Sequence, residues 1–176
     1  MEFSDVLKKR KSIRSFTGEK VPDDMLRELV EAGCLAPSAS NLEAWRFFVA
    51  TDPALVHKID VFSPGLSGNP PAIIAIASDM KEVEKRGSEN SIRYGCLMDA
   101  AMAAENIMLK ATDLGLGTCA IKSYNDAAVR KILNLPEWMR LEILITVGYP
   151  CGNARSPEHR SADKVMVLNT WEEGRL

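Results

Sequence analysis

The chain has 176 residues, 46% of them hydrophobic, and a formal net charge of −2. One domain is expected at this length, covering residues 1–176, and it can bury about 70% of the unfolded surface. The weak negative charge excludes an electrostatic case for nucleic acid or an anionic membrane. With only His57 and His159, the chain excludes a histidine-rich metal site.

The four cysteines, Cys34, Cys96, Cys119 and Cys151, form no CxxC pair. That spacing fits buried thiols in a reducing cytoplasm better than a disulfide frame or a zinc site. Glu2 and Asp5, with no long apolar run behind them, argue against a leader peptide. The most apolar stretch is broken by Asp99 and Glu105 and is too short to span a membrane. A cytoplasmic location is the expectation.

Residues 2–9 read as a short helix carrying Phe3, Val6 and Leu7 on one face. Arg10-Lys11-Ser12-Ile13-Arg14-Ser15-Phe16 follows. If residues 10–14 are extended, Arg10, Ser12 and Arg14 point the same way, because strand side chains alternate. Two guanidinium forks and a hydroxyl would then share a face, a grip suited to phosphate. The competing reading is a set of solvated cations at a helix C-terminus.

Val21-Pro22-Asp23-Asp24 starts a second helix, with Met25, Leu26, Leu29, Val30 and Leu35 as its apolar face, ending at Ala36-Pro37. Ala36-Pro37-Ser38-Ala39-Ser40-Asn41 is a loop of small polar residues. It can bind a ligand closely or merely satisfy its own backbone. Residues 45–51 read as a strand, 53–62 as a helix, 63–71 as a Gly/Pro loop, and 72–77 as a strand buried on both faces. Residues 79–91 are polar and charged and read as a mobile surface segment.

Residues 92–114 give the longest helical pattern. Asp99, Asn106, Lys110 and Asp113 form one narrow polar stripe, and nearly everything else is apolar. Such a helix is buried on most sides, within the chain or against a second subunit. Residues 115–120 match G-x-G-x-x-A, but a helix precedes the match and a strand follows it. A dinucleotide fingerprint needs the reverse context, so Gly115 is read as the helix C′ residue and residues 118–121 as a strand. Asn125 caps the next helix, residues 141–148 form an apolar strand, and residues 151–162 a loop with Arg155, His159 and Arg160. Val165, Leu168 and Trp171 lie in a tail whose apolar residues need a surface to pack on. Alternating strands and helices give an α/β or α+β class with a central sheet.

These pieces, taken in order, resemble the flavin-dependent nitroreductase family: residues 10–16, residues 36–41 with Trp45, residues 99–119, Val147-Gly148-Tyr149-Pro150, and residues 157–160. The resemblance implies an α+β fold, with a mixed or antiparallel sheet flanked by helices and a long central helix at a homodimer interface. It implies FMN held non-covalently in two interface sites. Arg10, Lys11, Ser12 and Arg14 match the anchors of the phosphate and the flavin's polar edge, and Arg160 matches a late arginine that joins the phosphate. Pro37, Ser38, Ala39, Ser40 and Asn41 match a loop that reaches FMN from the other subunit. Ala120, Ile121, Lys122 and Ser123 match the stretch beside the isoalloxazine.

The implied chemistry is ping-pong transfer from NAD(P)H to a nitroaromatic, quinone or related acceptor, with no metal. It needs a phosphate clamp and an apolar cleft, while the cofactor performs the hydride transfer. Dehalogenation, flavin fragmentation, or flavin binding without turnover remain alternatives. Three departures stand out: Glu43-Ala44 replaces a frequent Gln-Pro, Lys122-Ser123 replaces a glycine-containing pair, and Glu158 replaces a frequent lysine. Lys122 either stabilises a reduced flavin or points to solvent.

Overall fold

The computed structural model describes residues 1–170. Helix α1 (Phe3–Lys9) ends at Arg10, whose φ of −57° and ψ of 124° turn the chain out of the helix. The segment after it makes isolated bridges and no strand. Ser12 bridges Thr118 in parallel, and the Ile13 N–H donates to the Thr118 carbonyl at 2.8 Å.

Helix α2 (Asp23–Cys34) has Asp23 and Asp24 in its first turn, where the helix dipole favours them. Strand β1 (Trp45–Ala50) leads to α3 (Pro53–Val61), whose cap, Asp52, accepts the Leu55 N–H at 2.9 Å. After the Gly/Pro loop comes β2 (Ala72–Asp79). The polar stretch beyond it, read from sequence as a mobile surface segment, carries a helix. Its first half is α4 (Met80–Arg86), started by Asp79, which accepts the Glu82 N–H. Val83, fully buried, and Met80, packed against the same cluster with Leu42, Ala44 and Cys96, fix this helix to the body. Ser91–Gly95 then forms a π-turn that opens α5 (Cys96–Asp113). Gly115 takes the left-handed φ of 77° that the C′ position requires. Strand β3 (Gly117–Ile121), α6 (Asp126–Ile132) and β4 (Met139–Gly148) complete the body. As read from sequence, Asn125 caps α6 by accepting the Ala128 N–H at 3.0 Å.

The strands form one sheet in the order β1-β2-β4-β3, with every neighbouring pair antiparallel. That settles the class as α+β. Strand β2 is buried on both faces, and its alternation divides it between two cores. Ala72, Ile74 and Ile76 join Leu26, Leu29, Ala103, Ile107 and Ile145 on the side covered by α2 and α5. Ile73 and Ala75 join Val56, Ile59, Val129 and Leu144 on the side covered by α3 and α6. Each fully buried isoleucine contributes about 1.5–3 kcal/mol.

Strand β4 has one irregularity. Ile76 pairs with Ile143 and Ala77 with Leu141, so Glu142 is the extra residue of a β-bulge.

The polar stripe on α5 faces its own chain. Asp99 accepts the Ala39 N–H, Asn106 donates to the Ala32 carbonyl at 3.1 Å, Lys110 pairs with Glu28 at 2.9 Å, and Asp113 pairs with the N-terminal ammonium. The exposed flank is apolar instead: Leu97 is 47% exposed and Met98 59%, and Ile92 and Tyr94 of the π-turn are exposed beside them. In the tail Val165, Met166 and Leu168 are exposed, and Trp171 lies outside the described residues.

Candidate functional site

Residues 12–15 form one wall of a groove of about 210 Å³, whose other wall is Cys151, Asn153, Ala154 and Arg155. Several backbone ties hold the walls together. The Cys151 N–H donates to the Ser15 carbonyl at 2.9 Å, the Thr17 N–H donates to the Tyr149 carbonyl at 3.0 Å, and Phe16 bridges Pro150. Behind the first wall, the Phe16 N–H donates to Gly68 at 3.1 Å. Gly68 has φ +79°, and a Cβ there would lie 2.1 Å from the Arg14 carbonyl oxygen, so only glycine lets the loop lie this close.

The cations of this segment are used differently from the alternation read in sequence. Ser12 and Arg14 line the groove, but Arg10 does not. The Arg10 guanidinium pairs with Glu105 of α5 at 3.3 Å, because Arg10 still belongs to the C-cap of α1 and not to the extended run. Lys11 donates from its ammonium to the Ala154 carbonyl at 3.1 Å and so braces the second wall. Arg160 is exposed and outside the groove lining, whereas Arg155 is part of it. Sequence reading placed Arg155 in a loop without a role. The ties that bring it to Arg14 are tertiary and leave no local signal.

Residues 37–41 lie elsewhere on the same chain. The Ala39 N–H donates to both Asp99 carboxylate oxygens at 3.0 and 3.2 Å. Burial pushes the Asp99 carboxyl above its ordinary range, and the Ala39 N–H partly opposes that shift. Ser38 Oγ accepts the Glu43 N–H at 3.0 Å, and Arg86 of α4 reaches the Asn41 carbonyl. Ser40, Asn41 and Glu43 have φ of 53°, 51° and 50°. Left-handed non-glycine residues cost of order 1–3 kcal/mol each and gather at ligand clamps. Ala44 permits this shape, since a proline there would drive Glu43 toward extended backbone. Asp99 and Glu105, the α5 partners of this loop and of Arg10, are about 9 Å of rise and about 120° apart around the helix. Within one chain the loop and the groove are thus anchored on different faces of α5.

Residues 120–123 span the last two residues of β3 and the two that follow it. Lys122 is exposed, but its side chain is tied to the protein. Its ammonium donates to the Tyr124 hydroxyl at 3.2 Å and to the Glu142 carbonyl. The Tyr124 hydroxyl donates to the Leu141 carbonyl at 3.3 Å, and its pKa is raised, chiefly by burial and further by Asp126 and Glu142. The bulge explains this arrangement. It leaves the Glu142 carbonyl out of the ladder for Lys122 and turns the Glu142 carboxylate, with its side chain 4% exposed, onto Arg140 Nε at 2.7 Å. Arg140 also donates to the Ile92 carbonyl of the π-turn at 2.8 Å. One irregularity in β4 thus positions both the 120–123 stretch and the entry to α5.

A larger cleft of about 510 Å³ lies between residues 51–60 and the 69–71 loop, with Lys20 and His57 on its rim. Both histidines are exposed, and among the described residues there is no cluster of three or more metal-ligating side chains. Cys96 and Cys119 are buried, as expected of all four cysteines, but Cys34 and Cys151 are exposed. No helix among the described residues is long and apolar enough to cross a membrane.

The sheet order and the long helix with its π-turn entry define an α+β protein, with a two-walled groove that Arg14 and Arg155 help to line. Comparison with known proteins gives the family. The model described as Nitroreductase family matches residues 7–64 and 61–149, and the chain belongs to that family. It is 27% identical to a Thermus thermophilus protein named NADH dehydrogenase, over 91% of this chain and 92% of that one. It is 24% identical to mouse iodotyrosine deiodinase 1, over 94% of this chain and 69% of the relative. Among solved structures, an FMN-dependent nitroreductase from Clostridium difficile superposes with a TM-score of 0.78 at 29% identity, covering 94% of this chain and 98% of that one. A nitroreductase family protein from Streptococcus pneumoniae superposes with a TM-score of 0.85 at 23% identity, over 96% of this chain and all of the other, which supports the fold.

Proposed function

We propose that this chain is an FMN-dependent NAD(P)H oxidoreductase that reduces nitroaromatic, quinone or related acceptors. The observation that carries the reading is the groove in which Arg14 and Ser12 face Asn153 and Arg155. Guanidinium, hydroxyl and amide donors without a carboxylate suit a phosphomonoester, and so the donor set fits the phosphate of FMN. When bound, FMN would supply hydride acceptance from reduced nicotinamide and electron delivery to the acceptor.

The chain's own residues bind and orient. Ser12 and Arg14 hold the phosphate, with Lys11 bracing the opposite wall and Arg10 tying the segment to α5. The stretch Ala120, Ile121, Lys122 and Ser123 flanks the flavin ring, held in shape by the Lys122 contacts to Tyr124 and Glu142. Pro37, Ser38, Ala39, Ser40 and Asn41 close the site of a second copy of the chain. The separate placement of loop and groove on α5 supports a site completed across a homodimer, and the apolar flank at Leu97 and Met98 supports burial there. Four free thiols support a reducing, cytoplasmic setting.

Reductive dehalogenation is the second reading, favoured by the similarity to iodotyrosine deiodinase 1. Steady-state oxidation of NADH against a quinone, a nitroaromatic and an iodophenol separates the two. Parallel double-reciprocal lines with the first two acceptors are expected. Turnover restricted to the iodophenol, with iodide release, would replace the first reading by the second.

A further inference from the structure

Strand β4 runs on past the end of β3. Ile121, the last residue of β3, pairs with Leu144, so among the described residues 139–143 have no strand partner on that side. Two of the carbonyls left there are met by side chains that follow β3. The Tyr124 hydroxyl donates to the Leu141 carbonyl at 3.3 Å, and the Lys122 ammonium donates to the Glu142 carbonyl. Glu142 is the bulged residue, and its buried carboxylate meets Arg140 Nε at 2.7 Å. A buried carboxylate has to be paired, so Arg140 fixes the bulge in place. The same guanidinium donates to the Ile92 carbonyl at 2.8 Å. A continuous run of polar contacts thus leads from the π-turn, through Arg140 and Glu142, to Lys122, one of the positions at which the sequence departs from the family resemblance.

We propose that Arg140 is a positioning residue for the cofactor's ring, acting through the Glu142 bulge and Lys122 on the backbone of residues 120–123; this rests on the FMN reading above. Arg140 holds the bulge, the bulge carbonyl holds the Lys122 ammonium, and Lys122 sets the stretch that flanks the ring. The effect falls on the ring and not on the phosphate. FMN and riboflavin, which lacks the phosphate, therefore feel it alike.

The test is a fluorescence titration of the full-length protein, freed of flavin, with FMN and separately with riboflavin. The variants are Lys122→Met, the paired change Arg140→Met with Glu142→Met, and all three changes together. The paired change strands no charge, and replacing both members of a buried pair by apolar residues is often neutral, so its melting temperature should stay near the parent's. Lys122→Met and the paired change should each weaken both flavins by the same factor, about three- to tenfold, as for one lost hydrogen bond. The three changes together should do no more than Lys122→Met alone, because all act through one carbonyl. The assignment is overturned, while FMN binding stands, if the paired variant folds and binds both flavins like the parent. Losses that multiply in the combined variant, or a loss confined to FMN, overturn it as well. Should the paired variant not fold, Glu142→Gln supplies the measurement, since it keeps a hydrogen bond to Arg140 but removes the charge that strengthens it. It should weaken both flavins about two- to threefold, and parental binding of both would overturn the assignment. If the parent binds neither flavin, the FMN reading fails and the assignment falls with it.

Discussion

The Ala39 N–H donates to both oxygens of the Asp99 carboxylate, at 3.0 and 3.2 Å, and so fastens the 37–41 loop to the first turn of α5. The loop's left-handed residues, Ser40, Asn41 and Glu43, are held in place from this anchor. Only 5% of Asp99 is exposed, and burial raises its pKa above the ordinary 3.8 more than the Ala39 N–H lowers it. A carboxyl whose folded pKa exceeds its unfolded value is protonated more readily in the fold. Its stabilising effect is therefore complete below 3.8 and lost as pH rises through the higher, folded value.

The substitution Asp99→Asn keeps an acceptor for Ala39 and removes the titration. In urea unfolding between about pH 7 and about pH 4, the stability of the parent relative to the variant should rise as pH falls. A difference that stays flat, or moves the other way, contradicts the assignment of a raised pKa.

Arg14→Ala removes a cation from the groove while leaving the exposed backbone ties in place. The expected loss is about 1.5–3 kcal/mol of FMN affinity, roughly ten- to a hundredfold, with the melting temperature of the apoprotein unchanged. An unaltered FMN dissociation constant by titration would show that the phosphate binds elsewhere.

Met98→Glu puts a charge on the apolar flank of α5, where Met98 is 59% exposed in the isolated chain. An obligate interface buries more than about 2,000 Å² and tolerates an unpaired charge poorly. Sedimentation should show the parent as a dimer and the variant as a monomer that has lost its flavin. A flavin-loaded monomer, of either protein, would contradict a site shared between two copies.

The bulge at Glu142 yields an asymmetric expectation. Arg140→Met strands a buried carboxylate and should cost about 3 kcal/mol, since breaking one side of a buried pair leaves an uncompensated charge. Glu142→Gln keeps an acceptor for Arg140 and should cost about 1 kcal/mol. Equal costs in urea unfolding would mean that the pair is solvated and that the π-turn does not depend on it.

Those parts of the fold with a local cause were legible in the sequence. The apolar run of β2, the Asn125 cap and the Gly115 turn each follow from residues within one turn or strand. Helix α4 was missed because only Met80 and Val83 face the body, and two apolar residues set too short a pattern to show a period. The bulge was hidden because residues 141–148 read as an unbroken apolar strand, and pairing, not composition, makes Glu142 the extra residue. The candidate site was half visible. Ser12 and Arg14 were marked by spacing, but Arg10 was drawn away by Glu105, and Arg155 was brought in by Lys11 and Ser15. The outcome at both arginines depends on long-range contacts between segments.

Anaerobic stopped-flow mixing of the FMN-loaded protein with NADH or NADPH tests the central claim most directly. The expected result is rapid bleaching of the flavin absorbance by at least one of the two, followed by recovery of the oxidised spectrum when a quinone or nitroaromatic is added. A flavin that neither nicotinamide reduces, but that dithionite bleaches fully, would contradict an NAD(P)H oxidoreductase.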